Sequence, residues 1–179
     1  SIQEYGNLIL INDTDTEIID ADLILTYLNT YKNLTNESFN ASVYVNLTNT
    51  TGTATNSYAI TAGIKLINTS DVNKSMGCSV AYLDGQTTPM LVLFNASIND
   101  TYASSAITTS EGFLNLTYTA STGMFNCTMD GVSLANTSSY FAEGYNLALD
   151  TYMFRNGGAA PTSEVNTTFE NYTFNTTYV

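Results

Sequence analysis

The chain has 179 residues, enough for one domain with a substantial core. It is 44% hydrophobic but only 11% charged, with four Lys and Arg against sixteen Asp and Glu and a formal net charge of −12. That balance excludes a disordered chain. It offers no cationic patch to displace counterions from a nucleic-acid backbone or to hold an anionic lipid surface.

In chain order, Ser1 to Gly6 is short and polar and reads as an exposed terminus. Leu8-Ile9-Leu10-Ile11 then places four large apolar residues in a row. A strand with one wet face alternates, whereas a continuous apolar run predicts a strand covered on both faces. The run is too short to cross a membrane, so no membrane insertion of the mature chain is expected. The acidic run Asp13-Thr14-Asp15-Thr16-Glu17 follows. Clustered carboxylates invite calcium, but the glycine and terminal glutamate of an EF-hand loop are missing, and we read a solvated linker with no metal. The chain therefore divides into a tail, 1–16, and a head, 17–179.

Glu17–Tyr27 reads as one strand, or two with a bend, or a short helix, and Asn29 to Ser38 as a loop. Phe39–Leu47 alternates cleanly, with Phe39, Ala41, Val43, Val45 and Leu47 predicted inward. Tyr58–Leu66 and Cys78–Leu83 alternate in the same way. For Met90–Ile98 we take Met90, Val92, Phe94, Ala96 and Ile98 as inward and Asn95 as outward. Asn99 to Ser110 reads as a polar excursion. Phe113–Thr119 and Met124–Met129 follow as strands, and Asp130-Gly131 signals a tight hairpin into Val132–Leu134. Tyr140–Phe154 reads as a strand bulged near Gly144, and Val165–Val179 as a terminal strand of undecided phase. No segment keeps a helical period. Short strands with turn signals every ten or so residues predict an all-β fold, a β-sandwich or jelly roll.

Asn-X-Ser/Thr sequons begin at Asn12, Asn33, Asn36, Asn40, Asn46, Asn49, Asn68, Asn73, Asn95, Asn99, Asn115, Asn126, Asn136, Asn166, Asn171 and Asn175. These are sixteen of twenty-one asparagines, none with Pro in the middle position. That density predicts an extracellular, cell-surface protein whose covalent N-glycans replace the missing charge as a wet coat. The two cysteines, Cys78 and Cys127, read as one disulfide of an exported chain, against the alternative of two buried thiols. The chain begins at Ser1, and we expect a processed form whose targeting segment has been removed.

Chemistry is scarce. With no histidine, neither a Ser-His-Asp triad nor a His-ligated metal can be built. There is no Ser-x-x-Lys motif and no Trp, the common sugar platform. A carboxylate pair for glycoside hydrolysis is left open by sequence. We expect no catalytic residues, no cofactor and no enzyme.

An apolar strand at the terminus, an acidic hinge and a β head together fit a subunit that donates a strand to its neighbour, a heterologous contact that makes filaments. The partners are then identical subunits of a homopolymer. A sequon-dense, Asn/Thr/Ser/Tyr-rich β chain that opens SIQEYGNLILINDTDTE resembles the subunits of archaeal extracellular threads, thin surface filaments of thermoacidophilic archaea. The resemblance implies a globular β head, Leu8–Ile11 inserted into the next subunit, many N-glycans, and a role in adhesion or cell–cell contact. Type IV pilins begin with a long apolar helix, which Asp13, Asp15, Glu17, Asp20 and Asp22 interrupt here. The alternative is a monomeric, heavily glycosylated cell-surface, envelope or viral surface binding domain, with Leu8–Ile11 as the first strand of its own sandwich.

Overall fold

The structure, a computed structural model, describes residues 2–5, 8–13, 19–31, 37–49, 58–71, 74–83, 86–95, 101–137, 145–156 and 163–178. The described residues form thirteen strands: β1 (Ile2–Tyr5), β2 (Leu8–Asp13), β3 (Ile19–Tyr31), β4 (Glu37–Asn49), β5 (Tyr58–Asn68), β6 (Ser75–Leu83), β7 (Met90–Asn95), β8 (Thr101–Ala106), β9 (Glu111–Thr119), β10 (Met124–Met129), β11 (Val132–Thr137), β12 (Tyr145–Asn156) and β13 (Ser163–Tyr178). They make two antiparallel sheets, one of seven strands in the order β1-β2-β13-β4-β9-β10-β11 and one of six in the order β3-β12-β5-β6-β7-β8. The sheets face each other as a β-sandwich, β4 over β5, β9 over β6, β10 over β7 and β11 over β8.

Alternation builds the core. Ala41, Val43, Val45 and Leu47 of β4 are fully buried and meet Ile60, Ala62, Ile64 and Leu66 of β5. Fully burying a Val, Leu or Ile side chain contributes about 1.5–3 kcal/mol. At one end Phe39 stacks on Tyr118, Tyr145 and Phe174 with ring centroids 5.6–6.1 Å apart. Phe125 meets Tyr118 at 4.6 Å. Cys78 and Cys127 are bonded, joining the two sheets across this core.

The predicted hairpin forms at Asp130-Gly131, both in the left-handed region at φ 51° and 74°, with Met129 opposite Val132. Two positive φ values define the turn whose twist matches the flanking strands. Asp130 tolerates that conformation, and its carboxylate accepts hydrogen bonds from the Thr108 amide and hydroxyl. Those bonds hold its pKa below the ordinary carboxylate value.

Several expectations need correction. The polar N-terminus contains a strand, β1, paired with β2. Of the alternatives for Glu17–Tyr27 the strand holds, as one strand over residues 19–31, and both ends of the loop expected from Asn29 to Ser38 lie in strands, Asn29–Tyr31 in β3 and Glu37 and Ser38 in β4. The excursion after Asn99 contains β8, a full partner of β7. The irregularity of β12 falls between Leu147 and Ala148 in its pairing with β3; Gly144 lies outside the described residues. In β7 the phase is reversed: Leu91 and Leu93 enter the core, and Asn95 shares their face at 0% exposure. Met-Leu-Val-Leu-Phe is apolar in both phases, so alternation carried no information there.

Candidate functional site

The N-terminal strand pair is the first candidate. Within the single chain β2 pairs antiparallel with β13, Leu8 opposite Thr168, Leu10 opposite Asn166 and Asp13 opposite Ser163. On its other side β1 pairs with β2, Ile2 opposite Ile11 and Tyr5 opposite Leu8. The pair thus extends the seven-stranded sheet at one edge, and among the described residues β13 is the only strand of the head that β2 pairs with. The backbone of Leu8–Ile11 therefore lies on its own head. The burial of those four side chains lies outside the described residues, and so do residues 14–18, where the predicted boundary between tail and head falls.

β13 supplies both partners at this edge. Its first half meets β2 on one side and β4 on the other, with Thr167 and Phe169 buried. The register with β4 then shifts between Glu170 and Thr173, with Asn171 at φ 53°. The one extra residue of this bulge inverts the parity, so Phe174 packs on the core from an even-numbered position where Phe169 did so from an odd one.

The sequons are the second candidate. Asn40 and Asn46 of β4, Asn115 of β9 and Asn126 of β10 alternate with buried core residues and so lie on the outer face of the seven-stranded sheet. Asn175 stands directly opposite Asn40, and Asn166 directly opposite the exposed Thr48. Asn171 projects at the bulge and is exposed. On the same face Tyr44 donates a hydrogen bond to Glu111 Oε1 at 2.5 Å, which raises the phenol pKa. Its ring meets the half-exposed Phe113 edge-on at 5.3 Å. Asn136, on the edge strand β11, is half-buried in register with Phe125.

Among the described residues two sequon asparagines are buried. Asn68 is 2% exposed; its Oδ1 accepts hydrogen bonds from Ser70 N at 2.8 Å, Ser70 Oγ at 2.6 Å and Asp71 N at 3.1 Å. It closes the turn after β5, the ordinary work of an Asn at a strand end. Asn95 is buried in the core-facing phase of β7. For Asn12 and Asn49 the structure describes the backbone alone, and Asn33, Asn36, Asn73 and Asn99 lie outside the described residues.

No protein-family model and no characterised protein sequence matches the chain. Solved structures do share its fold. The PL7 alginate lyase AlyA1 from Zobellia galactanivorans superposes with a TM-score of 0.62 at 9% identity; the alignment covers 84% of this chain and 66% of the lyase, just under two thirds of its length. A lectin from Bauhinia forficata, solved in complex with GalNAc, gives 0.58 at 10% identity over 99% of this chain and 90% of the lectin. A protein of unknown function from Saccharomyces cerevisiae gives 0.55 at 11% identity, covering 100% and 93%. The protein is an all-β, jelly-roll-like sandwich, a fold that lyases and lectins share, and at these identities the likeness is one of fold alone.

Proposed function

We propose that the protein is a structural subunit of an extracellular surface filament, polymerising head to tail by exchange of its N-terminal strands. In the polymer the β1–β2 pair of one subunit lies on β13 of the next, in the register that a single chain makes with itself. The observation that carries this reading is the placement of an apolar terminal strand at a sheet edge, held to the head through β13 alone among the described strands. Withdrawing it would strip the β13 edge of main-chain partners over Ser163–Thr168, which an identical strand from another chain can restore. Where each subunit gives its strands to one neighbour and takes those of another, and the rotation does not close a ring, the contact propagates. The glycan-bearing outer face of the same sheet would keep such filaments from pairing side by side. A disulfide across the core suits the oxidising exterior.

A second reading rests on the pairing made within the chain: a monomeric, glycosylated extracellular domain that keeps β2 on its own β13. The fold is also one that carries lyases, but the chain has no histidine, and the proposal assigns it no catalysis. Electron microscopy of the purified full chain beside a form lacking residues 1–13 separates the two readings. Filaments from the full chain and only particles from the truncation are expected. Discrete particles from both would favour the monomer.

A further inference from the structure

The six-stranded sheet has an outer face that the filament proposal does not use, and it differs in character from the sequon-bearing one. One row of directly opposed residues crosses four strands: Asp150 of β12, Gly63 of β5, Ser79 of β6 and Val92 of β7. All four are buried. The row on one side contains Tyr152, Thr61 and Met90, and the row on the other contains Lys65 and Phe94, all half-exposed. Small buried residues between bulkier half-exposed ones describe a trench running across the strands. Ala81 continues the floor under one rim and Gly77 under the other. The floor cannot be raised at Gly63: a Cβ there would fall 2.1 Å from the Cys78 carbonyl oxygen and 2.6 Å from Ser79 Oγ.

Asp150 lies in this floor at 5% exposure. Its neighbours Leu147 and Leu149 enter the core, so alternation turns its carboxylate away from the core and into the trench. Among the described residues Oδ1 has no hydrogen-bond partner. A buried carboxylate oxygen without a donor is costly. A ligand hydroxyl would satisfy it. Lys65 sits diagonally across from Asp150, its Nζ 5.9 Å from the centre of the Phe94 ring, and offers donors from the rim. Tyr152, Thr61 and Ser79 add hydroxyls, and Val92, Met90 and Phe94 add apolar surface. None of the described sequon asparagines lies on this face, so no glycan attached to them blocks it.

We propose that this trench binds a neutral pyranose sugar, with Asp150 Oδ1 accepting a hydrogen bond from a ring hydroxyl and Lys65 donating to another. A pyranose presents hydroxyls at its rim and C–H groups on its faces, which matches a lining of polar tips among apolar side chains. An acidic sugar is disfavoured by the carboxylate in the floor and by the net charge of −12. The site is independent of how subunits assemble.

The test is titration calorimetry of the intact protein with methyl α-glucoside, methyl α-mannoside, methyl β-galactoside and galacturonate. Saturable binding of at least one neutral glycoside is expected, weakened about tenfold or more in Asp150→Ala and in Phe94→Ala, with thermal melts showing that both variants fold. Lys65→Met, a rim change that keeps the aliphatic stem, is expected to weaken binding in the same direction. No saturable binding of any neutral glycoside, equal binding by the wild type and all three variants, or tighter binding of galacturonate than of the galactoside would each overturn the proposal.

Discussion

Cys78 of β6 and Cys127 of β10 are bonded to each other across the interior, so the six-stranded and seven-stranded sheets are covalently tied at the level of their core. The bond closes a loop of 49 residues in sequence. On the chain-entropy model such a loop is worth about 4 kcal/mol, because the unfolded chain loses freedom that the folded one never had. We expect reduction, or the double substitution C78A/C127A, to lower the unfolding free energy by about that amount in urea titrations. An unchanged midpoint would show that the bond adds nothing the packing does not already supply.

The two glycines of the six-stranded sheet predict opposite tolerance. Gly63→Ala would drive a methyl group into backbone 2.1 Å away and is expected to cost several kcal/mol or to prevent folding. At Gly77 the nearest atom would be 3.6 Å off, ordinary contact, and Gly77→Ala is expected to be neutral or mildly stabilising. Melting temperatures of the two variants check this; equal effects would contradict the close approach of β5 and β6.

Asp150 gives the fold an acid-favouring term. Burial raises its pKa, and the charge of Lys65 and a bond to its own backbone amide only partly oppose this. Tyr152, on the same face, is also raised by burial. A carboxyl whose folded pKa exceeds its unfolded one contributes stability below the ordinary value near 3.8 and loses it as pH rises through the folded value. Asp130 does the reverse, contributing above its ordinary value and losing that as pH falls through its lowered folded one. Replacing Asp150 by Asn is expected to flatten the decline of melting temperature between acid and neutral pH. A profile identical to the wild type would show that the carboxyl is hydrated in the folded protein.

Glycan occupancy is expected to follow exposure. Mass spectrometry of glycopeptides from the native protein should find sugar on Asn40, Asn171 and Asn175, which are exposed, and none on Asn68 or Asn95, which are buried. A glycan on Asn95 would be incompatible with its place in the core-facing phase of β7.

Most of the sandwich was legible in the sequence because β4, β5, β6, β9 and β10 alternate strictly, and alternation reports the pleat directly. The cysteine pairing was legible because two cysteines allow one bond. What escaped lay where alternation fails. Met90–Asn95 is apolar in both phases, and the bulge near Asn171 inverts the parity of β13 midway. β8, Thr-Tyr-Ala-Ser-Ser-Ala, has too little apolar contrast to announce a strand. The trench was invisible for another reason. Its floor is assembled by register across four strands, and no single segment shows that Asp150, Gly63, Ser79 and Val92 stand in line.

Whether β2 lies on its own β13 or on that of a neighbour is the central question, and a covalent trap reads it directly. Leu10 and Asn166 are register partners, and Asn166 is half-exposed and reachable by oxidant. The double variant L10C/N166C, oxidised under assembly conditions and run on a non-reducing gel, is predicted to give a ladder of covalently linked subunits that collapses on reduction. A single internally closed monomer, with no ladder at any protein concentration, would contradict strand exchange and leave a self-complemented glycoprotein domain.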